Sequence, residues 1–132
     1  MAVLVTGGAG YIGSVTVELL RARGEQVVVL DNLHRGHRAA LHVDVPLYAG
    51  EVKDAALVAR IAREHSIDAC IHFAALIEAG ESVRDPALYF ENNSAQSTQL
   101  LRALLDCRIT HLVFNAICGR QIRRTTIPIS CA

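Results

Sequence analysis

Apolar residues along this chain fall into short runs separated by amphipathic stretches, and the alternation is regular from residue 2 to about residue 114. Residues 2–6, 26–30 and 69–73 are largely apolar, the first two rich in β-branched side chains, as suits strands covered on both faces. Residues 46–49 and 111–114 are shorter runs of the same kind. Residues 11–23 and 54–65 instead repeat their apolar positions at helical spacing, with Gly24 closing the first helix and Asp54 as N-cap of the second. Pro86, placed just after Asp85, opens a longer helix that runs to about residue 107. Residues 32–45 read as a polar loop. Repeated β–α–β units predict an α/β fold, a Rossmann-type doubly wound parallel sheet of order 3-2-1-4-5. The ligand crevice is expected between strands one and four, where the order reverses. Residues 1–114 are predicted to form this one domain, and 115–132 a divergent, irregular tail.

Composition changes the picture by exclusion. Of 132 residues, 52% are hydrophobic and 20% charged, which suits a globular core rather than a disordered chain. Thirteen basic residues balance thirteen acidic ones, so no net field draws the chain to nucleic acid or to an anionic membrane. Arg120, Arg123 and Arg124 cluster near the end and read as a solvated terminus. Met1 runs straight into the first strand, and no apolar run reaches the ~20 residues that span a bilayer, so a cytoplasmic protein is expected. Cys70, Cys107, Cys118 and Cys131 form no C-x-x-C pair, and Cys70 reads as a small buried hydrophobe. His34, His37 and His42 lack metal-ligand spacing and read as a solvated loop, so no metal is expected. His72, on an apolar strand, is expected to make a local hydrogen bond, and Glu78 and Glu81 to be solvated.

The chemistry is concentrated at the N-terminus. Val3-Leu-Val-Thr-Gly7-Gly-Ala-Gly-Tyr-Ile-Gly13 joins a strand to a helix through glycines that fit G-x-G-x-x-G at Gly8, Gly10 and Gly13. They also fit G-x-x-G-x-x-G at Gly7, Gly10 and Gly13. Such a turn lets backbone N–H groups approach a pyrophosphate, and the new helix offers it a positive dipole end. Asp31 follows at the tip of the second strand, where a carboxylate accepts from ribose hydroxyls and repels a 2′-phosphate. NAD is therefore expected over NADP. Arg35 and Arg38 read as loop cations near the nucleotide or as solvated.

Several motifs together resemble the extended short-chain dehydrogenase/reductase superfamily: Gly7-Gly-Ala-Gly-Tyr-Ile-Gly-Ser14, Leu30-Asp-Asn-Leu33 and Ile71-His-Phe-Ala-Ala75. Gly80-Glu-Ser-Val83, Asp85-Pro86 and Tyr89-Phe-Glu-Asn-Asn93 narrow the resemblance to the UDP-glucose 4-epimerases, also called UDP-galactose 4-epimerases, from Val3 to about Phe114. The resemblance implies that Gly7, Gly10, Tyr11, Ile12 and Gly13 surround the pyrophosphate and that Asp31, Asn32 and Leu33 line the adenosine ribose. It further implies that Glu51 and Val52 read the adenine, that Phe73 and Ala74 touch the cofactor and that Asn92 helps position it. In that family tightly bound NAD takes hydride from the hexose C4, the 4-keto sugar rotates, and hydride returns to the opposite face. A tyrosine with a nearby lysine acts as base, and a Ser or Thr after strand five bonds the reacting oxygen.

The departures are as informative. Ile117 stands where that hydroxyl should fall, Ile77 where many relatives carry a lysine, and Gln96 where they carry a helix glycine. Tyr11, Tyr48 and Tyr89 are the only tyrosines, none followed four residues later by lysine, and Lys53 is the sole lysine. The expectation is the N-terminal NAD-binding portion of such an epimerase, ending before a sixth strand and the sugar-binding domain. It has no catalytic residue of its own and is inactive alone, with UDP-hexose bound only by the complete enzyme. A fragment of a 4,6-dehydratase and a non-catalytic NAD-binding module are the alternatives. The apolar fifth strand is expected to be an open edge, prone to homodimerisation or aggregation.

Overall fold

A computed structural model of the chain describes residues 1–74, 83–118 and 121–128, with side chains described up to residue 115. Five strands, β1 (Ala2–Thr6), β2 (Gln26–Asp31), β3 (Leu47–Ala49), β4 (Ala69–His72) and β5 (His111–Cys118), form the expected parallel sheet in the order β3-β2-β1-β4-β5. Between them lie helices α1 (Tyr11–Ala22), α2 (Ala55–His65), α3 (Pro86–Phe90) and α4 (Gln96–Asp106). The loop after β2 contains one 3₁₀ turn, Arg38–Ala40.

The period-2 alternation of the strands sorts their side chains onto two faces. Ala2, Leu4, Val28, Leu30, Cys70 and Leu112 pack with Val58 and Ile61 of α2 and Leu100, Ala103 and Leu104 of α4. Val3, Val5, Val27 and Val29 face Val17 of α1, together with Leu41 and Val45 from the polar loop. Each central strand is thus buried along both faces, which is why its sequence shows no polar alternation. The second face is thinner towards β5, where Val113 remains 40% exposed while Leu112 is 4% exposed. Cys70 is fully enclosed, and burial pushes its thiol up to about 12, so it behaves as a hydrophobe.

Local signals set the helix ends. The Asp54 carboxylate accepts from Leu57 N at 3.1 Å, and Asp85 accepts from Leu88 N at 3.0 Å with Pro86 in the first turn. α2 stops at Ser66 in the left-handed conformation (φ 51°), and Gly24 (φ 80°) follows α1.

Three expectations are corrected. The helix from Pro86 is interrupted by a π-helical turn at Glu91–Ala95. Residues 115–132 are not wholly irregular: β5 continues to Cys118, and β6 (Gln121–Pro128) pairs with it antiparallel, from Cys118↔Gln121 to His111↔Pro128. A run containing Ile122, Thr125, Thr126 and Ile127 has strand propensity, and the free backbone edge of β5 supplies the partner. β5 is consequently not an open edge, and the exposed rim expected there is covered by β6. Glu78, Glu81, Ile77, Cys131 and most of the Gly80–Val83 motif lie outside the described residues.

Candidate nucleotide-binding site

The carboxyl ends of β1, β2 and β4 converge on Gly7. Its φ of 71° suits glycine, and its N–H donates to Leu30 O at 2.8 Å. A Cβ placed there would stand 2.6 Å from Ala74 N and 2.7 Å from the Phe73 carbonyl carbon, so backbone occupies the space. At Gly13 an added Cβ would run into the Gly7 carbonyl oxygen, and α1 therefore packs directly on the turn. Gly10 starts α1 without any side-chain cap, and the first helical turn carries no acidic residue. The first N–H groups of α1 have no acceptor within the helix, an arrangement suited to an anion.

Asp31 ties this turn to the loop after β2. It is 7% exposed, and its carboxylate accepts from Ala9 N at 2.9 Å and from Leu33 N at 2.8 Å. Leu33 adopts a left-handed φ of 59°, and Gly36 packs so close that a Cβ would lie 2.9 Å from both carboxylate oxygens. His37 N donates to Ala9 O at 3.1 Å, closing the loop onto the turn. Asn32 Nδ2 donates to Glu51 Oε1 at 3.3 Å, and Asn32 Oδ1 accepts from His34 N at 2.9 Å.

These groups border a cavity of about 320 Å³ over the point where the strand order reverses. Of the residues expected from sequence, Gly7, Gly10, Asp31, Asn32, Glu51, Val52, Phe73, Ala74 and Asn92 line it. Tyr11, Ile12, Gly13 and Leu33 do not: Gly13 is buried beneath the turn, and the Tyr11 side chain is 90% exposed. Leu30, His34, Arg35, Gly36, Gly50, Leu88 and Gln96 line it as well. Arg35 lines the cavity, whereas Arg38 donates to Val45 O at 2.7 Å and Val43 O at 2.8 Å and braces the loop. His34 was indistinguishable by spacing from His37 and His42, and Leu88 and Gln96 reach the site only through the helix that follows Asp85. Ile117, expected at a hydroxyl position in a turn, lies in the β5–β6 hairpin opposite Ile122.

His72 makes long-range rather than local bonds. Nδ1 lies 2.6 Å from Thr6 Oγ1 and Nε2 lies 3.0 Å from Ser97 Oγ, and burial pushes the imidazole down to about 4. It is therefore neutral at pH 7. Among the described residues no group of three or more His, Cys, Asp or Glu could hold a metal, and no helix is long and apolar enough to cross a membrane.

A parallel sheet with a glycine turn, an uncapped helix start and an acidic residue at the second strand tip defines a Rossmann-type dinucleotide-binding domain. The family model for the NAD dependent epimerase/dehydratase family matches residues 3–116, and the chain belongs to that family. It is 48% identical over 129 residues to the UDP-glucose 4-epimerase of Halalkalibacterium halodurans, covering 98% of this chain and 38% of that protein. That alignment passes Cys118, so the similarity extends beyond Phe114, where the motifs run out. The fold is similar to UDP-glucose 4-epimerase from Brucella ovis in complex with NAD, at TM-score 0.82 and 41% identity, over 86% of this chain and 34% of that one. It is also similar to the enzyme from Bifidobacterium longum in complex with NAD+ and UDP, at TM-score 0.84 and 36% identity, over 88% and 37%. The chain thus matches the N-terminal portion of UDP-glucose 4-epimerases and spans well under half the length of those relatives.

Proposed function

We propose that this chain is the NAD-binding part of a UDP-glucose 4-epimerase and that these 132 residues do not interconvert UDP-glucose and UDP-galactose by themselves. The observation that carries the first half is the cradle at Gly7 and Gly13, where a Cβ would collide with backbone, set beside an uncapped helix start and the Asp31 carboxylate. These features fit a dinucleotide. The α1 N-terminus would hold the pyrophosphate, Asp31 and Asn32 the adenosine ribose, and Glu51 and Val52 the adenine edge, while Phe73, Ala74 and Asn92 would form the opposite wall. Asp31 accepts one bond at each oxygen in this structure and retains acceptor capacity for hydroxyls, whereas a 2′-phosphate would meet its charge. Bound NAD supplies the hydride acceptor and donor for chemistry at the sugar C4.

The second half rests on what the residues can do with protons. An unassisted tyrosine titrates near ~10, far from a base poised for neutral pH. None of the three tyrosines has a lysine four residues on, and Ile117 cannot donate a hydrogen bond. Calorimetric titration should show NAD binding tighter than NADP; equal or tighter NADP binding overturns the assignment to Asp31. A coupled epimerase assay on the purified chain should show no turnover. Turnover that vanishes in Asp31→Ala would refute the proposed inactivity.

A further inference from the structure

Thr6, His72 and Ser97 form a buried chain of polar groups that the proposed function leaves unused, at 0%, 1% and 5% exposure. Each is the sequence neighbour of a cavity residue: Thr6 precedes Gly7, His72 precedes Phe73, and Ser97 follows Gln96. The neutral imidazole has one donor and one acceptor nitrogen, so one hydroxyl must accept from it and the other donate to it. The Phe114 ring lies 5.0 Å from the imidazole and holds it in place from β5.

The two bonds differ in what they add. Thr6 and His72 are already registered as strand partners, and Phe73 N donates to Thr6 O at 2.8 Å. The bond from His72 to Ser97 instead joins the sheet to α4, where Leu100, Ala103 and Leu104 supply the apolar core contacts. Apolar packing has no direction and tolerates sliding, whereas a 3.0 Å hydrogen bond fixes height and rotation. The π-helical turn carrying Asn92 stands immediately before α4, so the setting of α4 also sets Asn92. We propose that Thr6, His72 and Ser97 act as a positioning relay that holds Asn92 and Gln96 against the dinucleotide. The proposal rests on the NAD-binding reading.

The test is a double-mutant cycle on the full chain with NAD as the probe, read by calorimetry, and with amide NMR spectra of the nucleotide-free proteins. Ser97→Ala should weaken NAD about three- to tenfold, and Ser97→Thr, which keeps the hydroxyl, should return to within about twofold of the parent. Asn92→Ala combined with Ser97→Ala should be no more than about twofold weaker than Asn92→Ala alone, because a misplaced Asn92 has little left to lose. The amide signals of residues 92 and 96 should shift in Ser97→Ala before nucleotide is added. Additive losses, unmoved signals or parent-like affinity in Ser97→Ala overturn the relay while NAD binding stands. A parent chain that does not bind NAD overturns both.

Discussion

The two walls of the cavity are built by different means. The wall formed by the glycine turn, the β2 tip and the loop to Gly36 is held mainly by backbone: Gly7 N on Leu30 O, His37 N on Ala9 O, and glycines whose missing Cβ lets main chains touch, with the Asp31 carboxylate as the side chain that ties two of its N–H groups. The opposite wall combines the end of β4 with Leu88, Asn92 and Gln96, from a helix broken by a π turn and linked to the sheet through a buried histidine. Main-chain contacts such as those at Gly7 and Gly13 leave almost no latitude, since no side chain can rotate away to relieve a clash. Side-chain links can be loosened one at a time, and π turns concentrate at functional sites for related reasons. The first wall should therefore fail abruptly and the second by degrees.

The largest effect is expected at Gly7. Gly7→Ala places a Cβ among the Phe73 and Ala74 backbone atoms at a left-handed φ, and should cost at least about 3 kcal/mol, measured by urea unfolding. A Gly7→Ala chain of parent-like stability would erase the contrast between the walls.

Acid should act on the second wall. The imidazole of His72 is pushed down to about 4 in the folded chain from an ordinary 6.5, so between those values the unfolded chain binds the proton first. Stability should fall as pH drops from 6.5 to about 4, by on the order of 3 kcal/mol, and level off below. Unfolding curves across this range should show the slope in the parent and lose it in His72→Gln.

Asp31→Asn is next. It keeps an acceptor but removes the charge from bonds to two backbone amides, one buried and one part-buried, each worth roughly 1.5–3 kcal/mol with a charged acceptor. NAD affinity should fall by about tenfold and the preference over NADP should narrow, as read by paired titrations. The smallest effect is expected at Asp85→Ala, which removes the cap at Leu88 N on the second wall, costs about 1 kcal/mol of stability, and changes NAD affinity by less than about threefold.

The two walls were also unequally legible. Gly7, Gly10 and Asp31 could be placed at the cavity because strand, turn and carboxylate follow one another within short stretches whose spacing is itself the signal, whereas Asn32, Glu51 and Val52 came from family resemblance. Gly13 was recognised by the same spacing, and its work is the close packing of α1 on the turn that the third glycine of such a motif serves. Phe73, Ala74 and Asn92 came from family resemblance, and Leu88 and Gln96 were missed, because their place depends on how a distant helix sits on the sheet. His72 illustrates the limit: nothing local in its strand announces partners 66 and 25 residues away.

The succession of strands and helices, the faces of the helices and the glycine turn were determined by the sequence itself, since periodicity, caps and glycine geometry act over a few residues. Only the tertiary structure decided the rest. It interrupted the helix at Glu91–Ala95, joined His72 to Ser97, and turned Gln121–Pro128 into a strand, because a free backbone edge at β5 satisfies peptide groups that the local sequence alone would have left to water.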